Sequence, residues 1–275
     1  PRCTSCHAGY GWGDQSFDFT SEENVDCLVC HDQTGEYKKF PTAAGHPPYE
    51  PREFKGKTWQ PPDLNRVAQS VGRPTRHNCG VCHFYGGGGE GVKHADLDMS
   101  LENPRRSLDV HMDRDGPNMQ CVDCHTTKDH EISGRCYQVP AAERHDFHLP
   151  ISDDNRITCV SCHSDRPHPQ NEKLNDHIDK VACQTCHIPY AAREKATKHW
   201  WDWSKAGRFD ENGDKITLKD SLGNVVYSTM KGEFAWSKNF IPEYFWFNGS
   251  ATNTLVTDFI DDTQPVQVNR LQGSR

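Results

Sequence analysis

A chain of 275 residues that is only 34% hydrophobic, with a mean hydropathy of −0.87, carries little apolar material for an interior of its own. Its formal charge of −8 speaks against a nucleic-acid partner, which selects for clustered Lys and Arg, and no apolar run reaches the ~20 residues that a membrane span needs. Thirteen cysteines and sixteen histidines point instead to metal or cofactor chemistry.

In chain order the cysteines fall as Cys3-x-x-Cys6-His7, Cys27-x-x-Cys30-His31, Cys79-x-x-Cys82-His83, Cys121-x-x-Cys124-His125, Cys159-x-x-Cys162-His163 and Cys183-x-x-Cys186-His187. Pro1 precedes the first motif with no charged and apolar leader, so the chain reads as mature or cropped, its export following from its chemistry. Segment 41–76, rich in proline, reads as a surface excursion with one short helix, Leu64 to Ser70. The motif-bearing stretches 118–127 and 180–188 are expected to open or close short helices. After about residue 190 no cysteine occurs. There His199-Trp200-Trp201-Asp202-Trp203, Phe234-Ala235-Trp236 and Tyr244-Phe245-Trp246-Phe247 gather most of the large aromatics. Ile216-Thr217-Leu218 and Val225-Val226-Tyr227 around Gly223-Asn224 predict a hairpin near 215–228. Two regions follow: a core bearing the six motifs, 1–196, and a motif-free aromatic-rich extension, 197–275, packing on the core or on a partner.

The repeated C-x-x-C-H is the signature of covalent c-type heme attachment. Two thiols on one tight turn meet the porphyrin vinyl groups, and the adjacent imidazole is directed at iron. Zinc ribbons pair C-x-x-C but have no need of a histidine after every second cysteine, and a disulfide framework would leave six such histidines unexplained. Six hemes are therefore expected, attached through the twelve motif cysteines with His7, His31, His83, His125, His163 and His187 as proximal ligands. Cys136 reads as a spare thiol. The fold class expected is a multiheme cytochrome c, mostly α and irregular coil packed around stacked hemes with little β, and heme attachment places it in the periplasm or outside the cell. Ten further histidines (His46, His77, His94, His111, His130, His145, His148, His168, His177 and His199) exceed the distal positions to be filled, which favours bis-histidine iron.

Several strings resemble the octaheme tetrathionate reductase family of periplasmic cytochromes. They are residues 1–12 (PRCTSCHAGYGW), 26–32 (DCLVCHD), 82–89 (CHFYGGGG), 93–98 (KHADLD), 183–189 (CQTCHIP) and 201–207 (WDWSKAG). By this resemblance the chain corresponds to hemes two to seven of eight. The family's catalytic heme is matched by the one on Cys3, Cys6 and His7, with Lys93 as its distal ligand and Glu90, an Asp in the family, as the nearby acid. The resemblance further implies His94, His111, His130, His168 and His177 as distal ligands, with His145 a sixth, and a calcium ion near the active heme. A lysine ligates iron only as the neutral amine, which makes it displaceable.

The function expected is a chain of hemes delivering electrons to a lysine-ligated heme that reduces tetrathionate, nitrite or hydroxylamine. Lys93, His7 and Glu90 are the catalytic candidates, and Lys93 and Arg2 supply positive charge for an anion. The alternative is a non-catalytic conduit, a periplasmic shuttle or a filament subunit with every heme bis-histidine ligated. Redox partner proteins, other cytochromes or quinol-linked donors, are implied either way, as is assembly into a homo-oligomer.

Overall fold

The computed structural model describes residues 2–12, 16–18, 20–133, 157–252, 258–261, 263 and 270–274, without the side chains of Arg2, Cys3, 247–252 and 270–272. Cys136, His145 and His148 lie outside the described residues.

Regular structure is sparse and short. The helices are α1 (Cys27–His31), α2 (Leu64–Gln69), α3 (Arg76–His83), α4 (Cys121–Cys124), α5 (Val160–His163), α6 (Glu172–Asn175) and α7 (Cys183–His187). Five of these carry heme-type motifs, and the first motif lies on a 3-10 turn, Arg2–Ser5. Most of the helices are thus motif turns, as expected of stretches 118–127 and 180–188. The predicted helix at 64–70 is α2, where the Asp63 side chain accepts from the N–H groups of Asn65 and Arg66, both at 3.1 Å, and Val67 is buried.

The strands are β1 (Arg52–Phe54), β2 (Lys57–Trp59), β3 (Thr127–Lys128), β4 (Glu131–Ile132), β5 (Thr197–Asp202), β6 (Thr217–Lys219), β7 (Val225–Ser228), β8 (Gly232–Ser237), β9 (Trp246–Thr252) and β10 (Arg270–Ser274). Segment 41–76 carries the β1–β2 hairpin besides its helix, turned by Lys55 and Gly56 at φ 54° and 72°. The predicted hairpin is β6–β7, and it is extended by β8 and β5 into an antiparallel sheet of order β5-β8-β7-β6. This sheet buries Tyr227 and Phe234.

Two compact units divide the chain. The first comprises 1–121 and 192–239, and the second 122–191 and 240–275, so the cysteine-free tail is shared between them. Among the described residues the fully buried apolar set is small: Phe40, Val67, Phe84, Val92, Leu108, Ala191, Ala192, Tyr227 and Phe234. Large apolar side chains at the motif turns, by contrast, are exposed, among them Val81, Val160 and Ile188. A protein that leaves apolar groups outward beside three of its cysteine pairs has hydrophobic surface arranged there for a flat apolar group, not for its own side chains.

Candidate heme-attachment sites

The motif turns bring a cysteine pair and a histidine together on one short segment, and at two of them a hydrogen bond behind the ring fixes the imidazole. The Nδ1 atoms of His31 and His125 donate to the carbonyl oxygens of Gly72 (2.8 Å) and Ser133 (2.9 Å). A carbonyl only accepts, so Nδ1 carries the proton and Nε2 carries the lone pair, the tautomer that an imidazole ligand needs. His177, a predicted distal ligand, is held the same way by the Lys173 carbonyl at 2.6 Å.

His168 and His187 are brought together. Their rings lie 13° from parallel with centroids 6.0 Å apart, and His168 Nδ1 is buried without a hydrogen-bond partner among the described residues. Two imidazoles on opposite faces of one metal would be separated by about 6 Å: twice a metal–nitrogen bond of about 2 Å plus about 1.1 Å from nitrogen to ring centre. The spacing of the two rings is thus the one that a shared metal would ask for.

The motifs are also neighbours of one another. In the first unit the Cys82 thiol neighbours that of Cys6, and the Cys79 thiol that of Cys121. In the second, the Cys159 thiol neighbours that of Cys183. A shallow hollow in the first unit is bordered by Ser5 of the first motif, Leu28 and Val29 of the second, and Val81 and Cys82 of the third.

His77, which the resemblance passes over, borders this hollow too, with its Nδ1 2.9 Å from Glu102 Oε1. A carboxylate behind an imidazole is a familiar support for a metal-ligating histidine, and only the three-dimensional pairing reveals it. Lys39, also missed, is a buried lysine in a polar run with no motif to mark it.

Lys93 lies in the loop between α3 and the next 3-10 turn. Its backbone is left-handed, φ 71°, and its N–H donates to the Lys198 carbonyl at 3.0 Å while Lys198 N–H donates to Gly91, pinning the loop to β5. A Cβ on Gly87 would sit 1.8 Å from the Val92 carbonyl oxygen, and one on Gly91, at φ 67°, 2.8 Å from that of Ala196. The glycines therefore let this loop close on itself and on the sheet. Lys93 Nζ lies 5.0 Å from the Trp201 ring centre and Lys198 Nζ 4.1 Å from that of Phe234. Those two aromatics are direct cross-strand partners. Glu90 pairs with Lys195 and accepts from the Met99 N–H at 3.3 Å. His7 packs edge-on against Trp12, 5.5 Å between ring centres, and so has different partners from Lys93.

Of the other distal candidates, His94 lies beside Gly86 and the His83 carbonyl, His111 lies 3.9 Å from Asp109, and His130 occupies the β3–β4 turn at φ 66°. His46 contacts the Tyr49 hydroxyl at 3.1 Å and His199 that of Ser237 at 2.8 Å. Among the described residues no three His, Cys, Asp or Glu side chains converge as a metal cage, and no helix is long and apolar enough to cross a membrane.

Helical C-x-x-C-H turns with outward apolar neighbours, fixed imidazole tautomers and a histidine pair at axial spacing define a c-type cytochrome with several covalently bound hemes. Comparison with known proteins agrees and is more particular. The chain is similar to the crystal structure of an octaheme cytochrome c from Shewanella oneidensis, with 43% identity and a TM-score of 0.76 over 99% of this chain and 55% of that one. Residues 198–275 match the family "Cytochrome c bacterial". A stretch of 139 residues, 47% of this chain and 46% of the other, is 29% identical to an uncharacterized protein of Archaeoglobus fulgidus. The chain thus spans about half the length of these relatives, and it is a multiheme c-type cytochrome related to octaheme cytochrome c.

Proposed function

We propose that the chain carries six hemes c and passes electrons between them to the heme on Cys3, Cys6 and His7, where Lys93 is the displaceable distal ligand and a small substrate is reduced. The substrate class is a compound with a reducible S–S or N–O bond, with tetrathionate, nitrite and hydroxylamine the members to be tried. The reading is carried by the adjacency of motifs within each unit, seen in the thiol contacts Cys6 to Cys82, Cys79 to Cys121 and Cys159 to Cys183. Attachment sites this close favour short edge-to-edge electron steps.

Bound heme c supplies one-electron transfer and, at an iron with a labile ligand, a place for bond reduction. The chain's residues do the rest. The cysteines anchor, and the proximal histidines are oriented through Nδ1 where a carbonyl receives it. His168 and His187 would hold one such iron between them. The loop bearing Lys93 is held by β5, which fixes where its amine can reach, and Glu90 with Lys195 offers an exchangeable proton beside it. Such a protein works in an exported compartment with other cytochromes or quinol-linked donors as electron sources. The test is magnetic circular dichroism and electron paramagnetic resonance of the holoprotein and of Lys93→Ala. Loss of one low-spin signature together with loss of substrate reduction supports the reading. An unchanged spectrum with all irons bis-histidine ligated makes the chain a conduit instead.

A further inference from the structure

A buried ion pair of the first unit lies beside the first motif. The side chains of Lys39 and Asp26 are 2% and 3% exposed, with Nζ and Oδ2 3.4 Å apart. Lys39 Nζ donates to the carbonyl oxygen of His7 at 2.8 Å and to that of Gly9. The Tyr37 hydroxyl donates to Asp26 Oδ2 at 2.6 Å, and the Asp26 N–H donates to the Ala8 carbonyl at 2.7 Å. One ammonium therefore grips the segment just after the first motif, and its counter-charge sits immediately before the second, at Cys27.

Holding two loops together does not require ions. A buried ion pair costs desolvation that its attraction barely offsets, and apolar replacements of similar size often hold a fold as well. Burial lowers the lysine's proton affinity and Asp26 opposes that fall; burial and then Asp26 raise that of the Tyr37 hydroxyl, which stays a donor. What ions add, and apolar groups cannot, is a field in a medium where charge is poorly screened. That field is directed. The cation touches the backbone of His7, while the anion is turned toward Tyr37.

We propose that Lys39 is a positioning residue whose fixed positive charge, held against the His7 carbonyl, raises the reduction potential of the heme on Cys3, Cys6 and His7, with Asp26 setting the opposite limit. Adding one electron to that iron removes one unit of positive charge from the site, so a neighbouring cation favours the reduced form and a neighbouring carboxylate the oxidised form. The inference rests on His7 being the proximal ligand. Lys39 also acts electrostatically on Cys30 and Cys82, so the second and third hemes feel the same sign at longer range.

The experiment is spectropotentiometric titration of the full holoprotein, with heme signals followed individually by electron paramagnetic resonance. Lys39→Met removes the cation and leaves the carboxylate, and is expected to lower the equilibrium constant for reducing one heme at least tenfold, which is about 59 mV for one electron. Asp26→Asn leaves the cation alone and is expected to raise the same heme's potential; Lys39→Arg is expected to stay near the parent. Opposite shifts from the two charge-removing variants are what a merely structural role would not produce. Shifts of the same sign, or none, overturn the proposal. Where Lys39→Met does not fold, Asp26→Asn against the parent decides: a raised potential at this heme supports the proposal, and an unmoved or lowered one overturns it. His7→Met separates the two levels of inference. If it leaves every heme signal unchanged, the reading of His7 as ligand fails; if it alters one heme whose potential ignores Lys39 and Asp26, only the electrostatic role of Lys39 fails.

Discussion

The imidazoles of His168 and His187 stand almost parallel, 13° apart, with their centres 6.0 Å from each other, close to the separation of two imidazoles that share one metal. His187 belongs to the last C-x-x-C-H motif, and His168 lies two residues beyond Arg166 in the loop between α5 and α6. Asn175 ties that loop down, taking the His168 N–H at 3.0 Å and returning a bond to its carbonyl at 3.1 Å. His168→Ala is therefore expected to convert one heme from low to high spin and to leave the remaining low-spin signals intact. Electron paramagnetic resonance at low temperature checks this, and an unchanged low-spin count would mean that the iron on His187 takes its second ligand elsewhere.

The scarcity of buried apolar side chains predicts that heme is structural. Phe40, Val67, Phe84, Val92 and Leu108 are the buried apolar residues described before position 121, far fewer than a segment of that length needs to offset its ordering entropy. Polypeptide made in a host lacking heme-attachment machinery should show no cooperative thermal transition by circular dichroism and should be cut rapidly by protease. The holoprotein should melt cooperatively. A sharp transition in the apo chain would show that the side chains suffice.

Gly91 combines a left-handed backbone with a neighbour too close for a side chain, its virtual Cβ lying 2.8 Å from the Ala196 carbonyl oxygen. Gly91→Val should destabilise the fold by roughly 1–3 kcal/mol through strain and displacement of the loop from β5. Because Lys93 is carried by that loop, any spectral signature that depends on Lys93 should change in the same variant. Thermal melts and spectra of one preparation test both, and a variant that melts like the parent would show that the loop is not held at this point.

The attachment turns were legible because covalent chemistry imposes a fixed local spacing: two thiols and an imidazole within five residues need no tertiary information. The β6–β7 hairpin was legible for a similar reason, a glycine-asparagine turn between β-branched runs. The four-stranded sheet around it was not, since β5 joins through β8 with a register shift between Lys198 and Trp200 that the aromatic composition does not encode. Nor were Lys39 and Asp26. Each is an ordinary charged residue in the sequence, and only folding brings the two together inside the protein. The glycine run was visible, but its close neighbours are the Val92 and Ala196 carbonyls, a matter of loop path and not of composition.

The turn joining β6 to β7 supplies a prediction on pH that is independent of heme. Asp220 accepts from the Asn224 side-chain amide at 3.0 Å and from the N–H groups of Asn224 and Leu222, both at 2.9 Å. The Asn224 side chain is the largest influence holding its carboxyl below the ordinary value of 3.8, with the turn N–H groups adding to it and desolvation opposing them. A carboxyl whose folded pKa is depressed contributes stability that is fully present above its unfolded pKa and fades as pH falls through the folded one. Asp220→Ala should therefore melt below the parent at neutral pH, and the gap should narrow once the solution is taken well under 3.8. Melting curves of the two proteins across that range measure the gap directly. A gap that stayed constant into acid would mean that the side chain acts through its hydrogen bonds and not through its charge; no gap at all would leave the turn to the backbone, where the Asp220 N–H donates to the Asn224 carbonyl at 2.9 Å.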